Sequence, residues 1–154
     1  MKLDELFRLV LASHARVAIC GGPNTGKTTL TKLVTDRPVI HSVTTDEEIE
    51  LGPLSVTVTG GYEPDTPLKL MAAVARLDRF VIEGVQVVRA LRGPRIDGVR
   101  FPGMPVDAVV YLNLPKVSER SKHQIGQAAG TRTIFDGWLA LRPPVQIYEE
   151  SLAE

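Results

Sequence analysis

The chain has 154 residues, 44% of them hydrophobic and 23% charged, which suits one globular domain with a real core and leaves no room for a second. Eighteen basic residues balance eighteen acidic ones, so no overall field draws the molecule toward nucleic acid or an anionic membrane. A single cysteine, Cys20, excludes an internal disulfide and suits a cytoplasmic compartment.

In chain order, Leu3, Leu6, Phe7, Val10 and Leu11 recur at spacings of three and four, predicting an amphipathic helix over 3–13. Asp4, Glu5 and Arg8 interrupt this run, so it is not expected to be a signal peptide. A short apolar strand is predicted over 16–20, a glycine loop follows, and a helix is expected from 27 to 36. Residues 38–41 form a second strand. Thr45-Asp46-Glu47-Glu48 sets acids at the start of a helical turn, where the dipole favours them. Residues 52–66 combine Gly, Pro and an alternating Ser-Val-Thr-Val-Thr, which fits either a strand or an irregular loop. A helix over 68–77 precedes the apolar strand Phe80-Val81-Ile82, which ends at Glu83-Gly84. A short helix over 86–92 stops at Gly93-Pro94. Three Gly and three Pro make 93–105 a loop. Strand 108–112, helical pieces over 118–140 and a last strand at 145–148 complete the chain. No stretch is long enough to span a membrane, so no membrane partner is expected.

Strands alternating with helices indicate a mostly parallel α/β sheet covered on both faces. Ligands in such sheets bind beyond the carboxyl ends of the strands. There the sequence carries Gly21-Gly22-Pro23-Asn24-Thr25-Gly26-Lys27-Thr28, an uninterrupted G-x-x-x-x-G-K-[ST] run between a predicted strand and a predicted helix. Glycines let the backbone curl so that its N–H groups face an anion, and the helix start carries unpaired N–H groups. Lys27 is expected to reach the β- and γ-phosphates of a nucleoside triphosphate and Thr28 to set its hydroxyl on Mg²⁺, with Thr29 beside it. The predicted ligands are therefore a nucleoside triphosphate and Mg²⁺.

Further candidates lie at the other strand ends. Glu83 closes a buried strand and fits an acid that orients the metal, with a surface or capping acid as its alternative. Asp46 follows the second strand, where it fits either a base for an attacking hydroxyl or a first-turn acid. Arg89 and Arg92 share one helix face and suit a substrate phosphate, with a solvent-facing edge of that helix as the alternative. Between residues 89 and 132 there are eight Lys or Arg against three Asp or Glu. Part of this block, 116–132 with Arg120 and Arg132, suits a lid that closes over phosphates, and a plain surface helix competes with that reading. The three histidines have no metal-ligand spacing and receive no role. Phe135 and Trp138 read as core anchors.

Four stretches give the chain a resemblance to a known group: 21–30, the Thr45-Asp46-Glu47 turn, 81–92 (VIEGVQVVRALR) and 126–129 (GQAA). It resembles the small P-loop kinases of nucleoside-monophosphate-kinase type encoded by bacteriophages and prophages. Some of these resemble kinases that phosphorylate 5-hydroxymethyluracil within DNA. The resemblance implies a P-loop NTPase three-layer sandwich over 1–154, with a five-stranded parallel sheet. It implies ATP with Mg²⁺ and roles for Lys27, Thr28, Asp46, Glu83, Arg89 and Arg92. The leading expectation is transfer of the γ-phosphoryl to a modified pyrimidine in DNA. A nucleoside monophosphate kinase comes next, and an NTPase module without an acceptor is the third reading. The host cytoplasm is the expected location.

Overall fold

Apolar β-branched runs set the strands, and parallel neighbours bury them on both faces. The computed structural model describes residues 2–22, 27–43, 52–113 and 122–151. Its strands are β1 (Arg16–Gly21), β2 (Val39–Val43), β3 (Ser55–Thr59), β4 (Phe80–Glu83), β5 (Arg95–Ile96), β6 (Val99–Arg100), β7 (Ala108–Asn113) and β8 (Gln146–Ser151). The helices are α1 (Leu3–Ser13), α2 (Lys27–Thr31), α3 (Thr66–Val74), α4 (Val87–Arg92) and α5 (Lys122–Leu139).

Six strands form one sheet in the order β3-β2-β4-β1-β7-β8, and every described pair in it is parallel. The expected five-stranded sheet is thus corrected to six. The added strand is β3, which pairs with β2 through His41 and Thr57. As a half-exposed edge strand it carries an alternating pattern instead of a continuous apolar run, hence the ambiguity of 52–66. From β1 the chain steps outward to β2 and β3, returns to β4, then crosses to β7 and β8 on the other side. The direction therefore reverses around β1, and a crevice opens at such a switch point.

Alternating side chains divide the core into two halves. Val17, Ile19, Val81, Val110 and Leu112 meet Phe7, Val10 and Leu11 of α1 and Leu30 of α2. Ala18, Cys20, Ile82, Val109 and Tyr111 face the other way, onto Leu70 of α3, Leu91 of α4 and Phe135 and Trp138 of α5. Helices thus cover both faces, in three layers. Phe135 stacks on Tyr111 with ring centroids 4.3 Å apart, so it and Trp138 are core anchors as expected. Cys20 is fully buried, and burial pushes its thiol pKa up, away from nucleophilic chemistry. Arg37, also buried, donates to the carbonyls of Leu11, His14 and Ala15, joining the end of α1 to the entry of β1. No helix among the described residues is long and apolar enough to cross a membrane.

Three local expectations change. The helix after the glycine loop ends at Thr31 rather than 36, and its tail continues in tight turns such as Leu33 N–H to Leu30 O at 3.0 Å. The loop 93–105 contains the β5–β6 hairpin, turned by Asp97 and Gly98 at positive φ. The helical pieces in the last third join into one helix, α5, from residue 122 to 139.

Candidate functional site

Strand β1 ends at Gly21, whose φ of +145° turns the chain out of the sheet. Residues Pro23, Asn24, Thr25 and Gly26 lie outside the described residues, as do Asp46 and Arg120. Helix α2 begins at Lys27. Only 7% of Lys27 is exposed, and its Nζ donates to the carbonyl oxygen of Gly22 at 2.5 Å. The long side chain therefore folds back across the start of the loop it follows. Thr28 lies in the first turn of α2, and Thr29 is exposed on it.

Glu83 ends β4, the neighbour of β1, in register with Ile19. It shares the sheet face of Val81, the face covered by α1 and α2. It is 3% exposed, and Oε1 lies 2.7 Å from Nδ1 of His41, itself 1% exposed and directly opposite on β2. An ionised carboxylate can only accept, so Nδ1 carries the proton between them. Nε2 of His41 lies 3.0 Å from Oγ of Ser55, which accepts the backbone N–H of Gly52 at 3.2 Å. Glu83, His41, Ser55 and Gly52 thus form one hydrogen-bonded chain. The second carboxylate oxygen of Glu83 accepts no hydrogen bond from the described residues. Immediately after Glu83, Gly84 takes φ +141°, and a Cβ there would come within 2.7 Å of the Ser42 carbonyl. That turn lets β4 pass directly into α4.

On the opposite sheet face a cavity of about 700 Å³ opens between α4 and α5. Tyr62, Gln86, Arg89, Gly126, Gly130 and Thr131 contribute to its wall. Arg89 is held in place by donating to Gln86 Oε1 at 2.8 Å and to the Glu63 carbonyl at 3.1 Å. Burial pushes its pKa down from the usual guanidinium value, with the nearby Tyr62 opposing that shift. Gly126 and Gly130 lie one turn apart on α5, and a Cβ at either would meet nothing within 4 Å. Glycine costs about 1 kcal/mol relative to alanine in a helix interior, so nothing in the packing of α5 explains the pair. Their effect is to leave bare backbone along the cavity wall.

The two remaining arginines differ. Arg92 follows Arg89 on α4, and its Nε is buried without a hydrogen-bond partner among the described residues. Arg132 does not line the cavity. Its guanidinium lies 4.9 Å from the Tyr111 ring centroid and pairs with Glu149 at 2.6 Å and Asp136 at 3.0 Å. A phosphate role for Arg132 would require exchanging both acids. Residues 122–132 of the expected lid form the first part of α5, and 116–121 lie outside the described residues.

Reading the sequence missed His41, Ser55, Gln86, Tyr62 and Gly130 as parts of these two sites. His41 carried one signal, a polar residue set in an apolar strand run. Gly126 and Gly130 carried another, paired glycines one turn apart in a helix.

The architecture and site define an α/β protein whose parallel six-stranded sheet is flanked by helices, with a glycine turn at the carboxyl end of β1 and Glu83 at that of β4. No protein-family model matches the chain, and no curated protein matches it.

Proposed function

We propose that the protein is a P-loop kinase that moves the γ-phosphoryl group of ATP to a hydroxyl, with 5-hydroxymethyluracil in DNA as the acceptor. One observation carries the reading. The G-x-x-x-x-G-K-T run lies between the interior strand β1 and helix α2, and Glu83 ends β4, the strand beside β1.

The residues suit a magnesium nucleotide. No group of three or more metal-ligating side chains exists among the described residues. Mg²⁺ in kinases needs only one or two protein ligands, because phosphates and water complete its shell. Thr28 and Glu83 are the residues that would hold it, Glu83 through its second oxygen while His41 orients the first. When bound, Mg²⁺ neutralises charge on the β- and γ-phosphates. Lys27 binds the same phosphates once it exchanges the Gly22 carbonyl for them. The glycine loop, Pro23 excepted, would supply backbone N–H groups. The acceptor oxygen attacks the γ-phosphorus, the bond to the β–γ bridging oxygen breaks, and ADP leaves. Asp46 is the base offered by the sequence for the hydroxyl proton. Arg89 faces the cavity and suits a phosphate of the acceptor.

A nucleoside monophosphate kinase is the second reading, favoured by zero net charge and a cavity of nucleotide size. Transfer from γ-labelled ATP with Mg²⁺ tests both. Label on hydroxymethyluracil DNA and not on matched thymine DNA supports the first. Label on free monophosphates alone supports the second, and release of inorganic phosphate with neither acceptor supports an NTPase.

The bare stretch of α5 yields a prediction. Gly130→Leu fills open space and removes a poor helix former, so thermal stability should hold or rise. If the cavity takes the acceptor, the acceptor KM should rise about tenfold or more, with the KM for ATP unchanged. An unchanged acceptor KM would remove the cavity from the site.

A further inference from the structure

The β5–β6 hairpin sets Arg95 directly opposite Arg100. Like charges facing each other across an antiparallel pair are destabilising. Arg92 and Arg89 add two more guanidiniums from the adjoining turns of α4. Among the described residues, none of the four has a carboxylate within ion-pair distance; their polar contacts go to Gln86 and to the carbonyls of Glu63 and Gly93. Asp97 is the sole acid between Arg89 and Asp107, and it sits in the hairpin turn without an ion pair among the described residues. The arginines sense one another. Arg92 is pushed below the usual guanidinium pKa first by burial, then by Arg100, Arg89 and Arg95.

In a chain whose charges balance overall, four neighbouring guanidiniums with no carboxylate partner among the described residues call for an anion. A free monophosphate engages one or two of them in bidentate fashion, which leaves the others unmatched. The cluster also has a direction. It starts at Arg89 on the cavity wall, continues to Arg92 and runs out to the exposed hairpin. A polymer with one residue in the cavity and its neighbouring phosphates outside has that shape.

We propose that Arg92, Arg95 and Arg100 form a docking surface for the phosphodiester backbone of DNA, with Arg89 at its junction with the cavity. The inference deepens the kinase reading and rests on it for the choice of DNA as the polymer. Phosphate contacts hold the strand while one base enters the cavity, so the surface supplies affinity and register with no demand on sequence.

The test uses the whole chain and a short fluorescein-labelled DNA strand, with binding followed by fluorescence anisotropy across a salt series. Arg95→Gln/Arg100→Gln changes two exposed positions that hold no core contacts. Wild type should bind, with affinity falling as salt rises. The double variant should bind on the order of tenfold more weakly at low salt, and its log–log salt slope should be shallower by about 1.5. Its melting temperature and its affinity for an ATP analogue should not change. Wild-type protein that fails to bind DNA, or a variant with the wild-type affinity and slope, overturns the proposal. The same samples separate the two ideas. Weakened DNA binding without any label transfer keeps the surface and rejects the kinase; transfer to DNA that the variant performs with an unchanged KM keeps the kinase and rejects the surface.

Discussion

Lys27→Ala is expected to abolish phosphoryl transfer while leaving a folded protein. The ammonium group matters most when charge shifts onto the β–γ bridging oxygen and the equatorial oxygens, so its loss falls mainly on kcat. Removing such a preorganised charge costs on the order of 3–4 kcal/mol, or about two to three powers of ten in rate. The ground state loses less. The Nζ of Lys27 bonds to Gly22 O, a contact within the loop that no core cluster depends on. Lys27→Met, which retains the length of the side chain, separates charge from packing and should be as inactive as alanine. Single-turnover transfer from γ-labelled ATP reads the effect, with thermal melting as the control for folding. Near-normal turnover in either variant would sink the phosphate-loop reading.

The second large effect is expected from Glu83→Gln. The substitution keeps the shape of the side chain, and its carbonyl oxygen still accepts from Nδ1 of His41, so the chain through Ser55 to Gly52 survives. What it removes is one negative charge on the face of the sheet shared with α2. Transfer should fall by about 10²-fold and need more Mg²⁺ for half-maximal activity, since the carboxylate acts on the metal and not on the base or sugar. Binding of an ATP analogue without metal should stay near wild type, which distinguishes loss of the metal from loss of the nucleotide. A Mg²⁺ titration curve superimposable on that of wild type would take Glu83 out of the site.

Much of this was legible in the sequence because it is local. The glycine run between an apolar strand and a helix needs no distant partner to be recognised. Glu83 could be singled out because a charged residue closes a buried apolar run. The stop of α4 at Gly93 was likewise written in the residues, and Gly93 takes φ +100° there. The edge strand β3 was harder. Its register with β2 depends on residues 16 positions away in the chain, and half of its surface faces solvent, so its pattern matches a loop as well as a strand. The β5–β6 hairpin was hidden for a different reason: two residues per strand are too few for any periodicity.

The sequence by itself determined the phosphate-loop pattern, the alternation of strands and helices and the acids and arginines at strand and helix ends. Those depend on short-range sterics and on hydrophobic spacing within single elements. Tertiary structure alone decided that His41 holds Glu83 from 42 residues away, that α5 leaves a cavity against α4, and that Arg132 pairs with Glu149 and Asp136 while Arg92, Arg95 and Arg100 have no carboxylate partner among the described residues. Each of these follows from strand order and helix packing, which bring together groups that no local rule relates, and the charge or hydrogen bond of each group is then set by its neighbour in space.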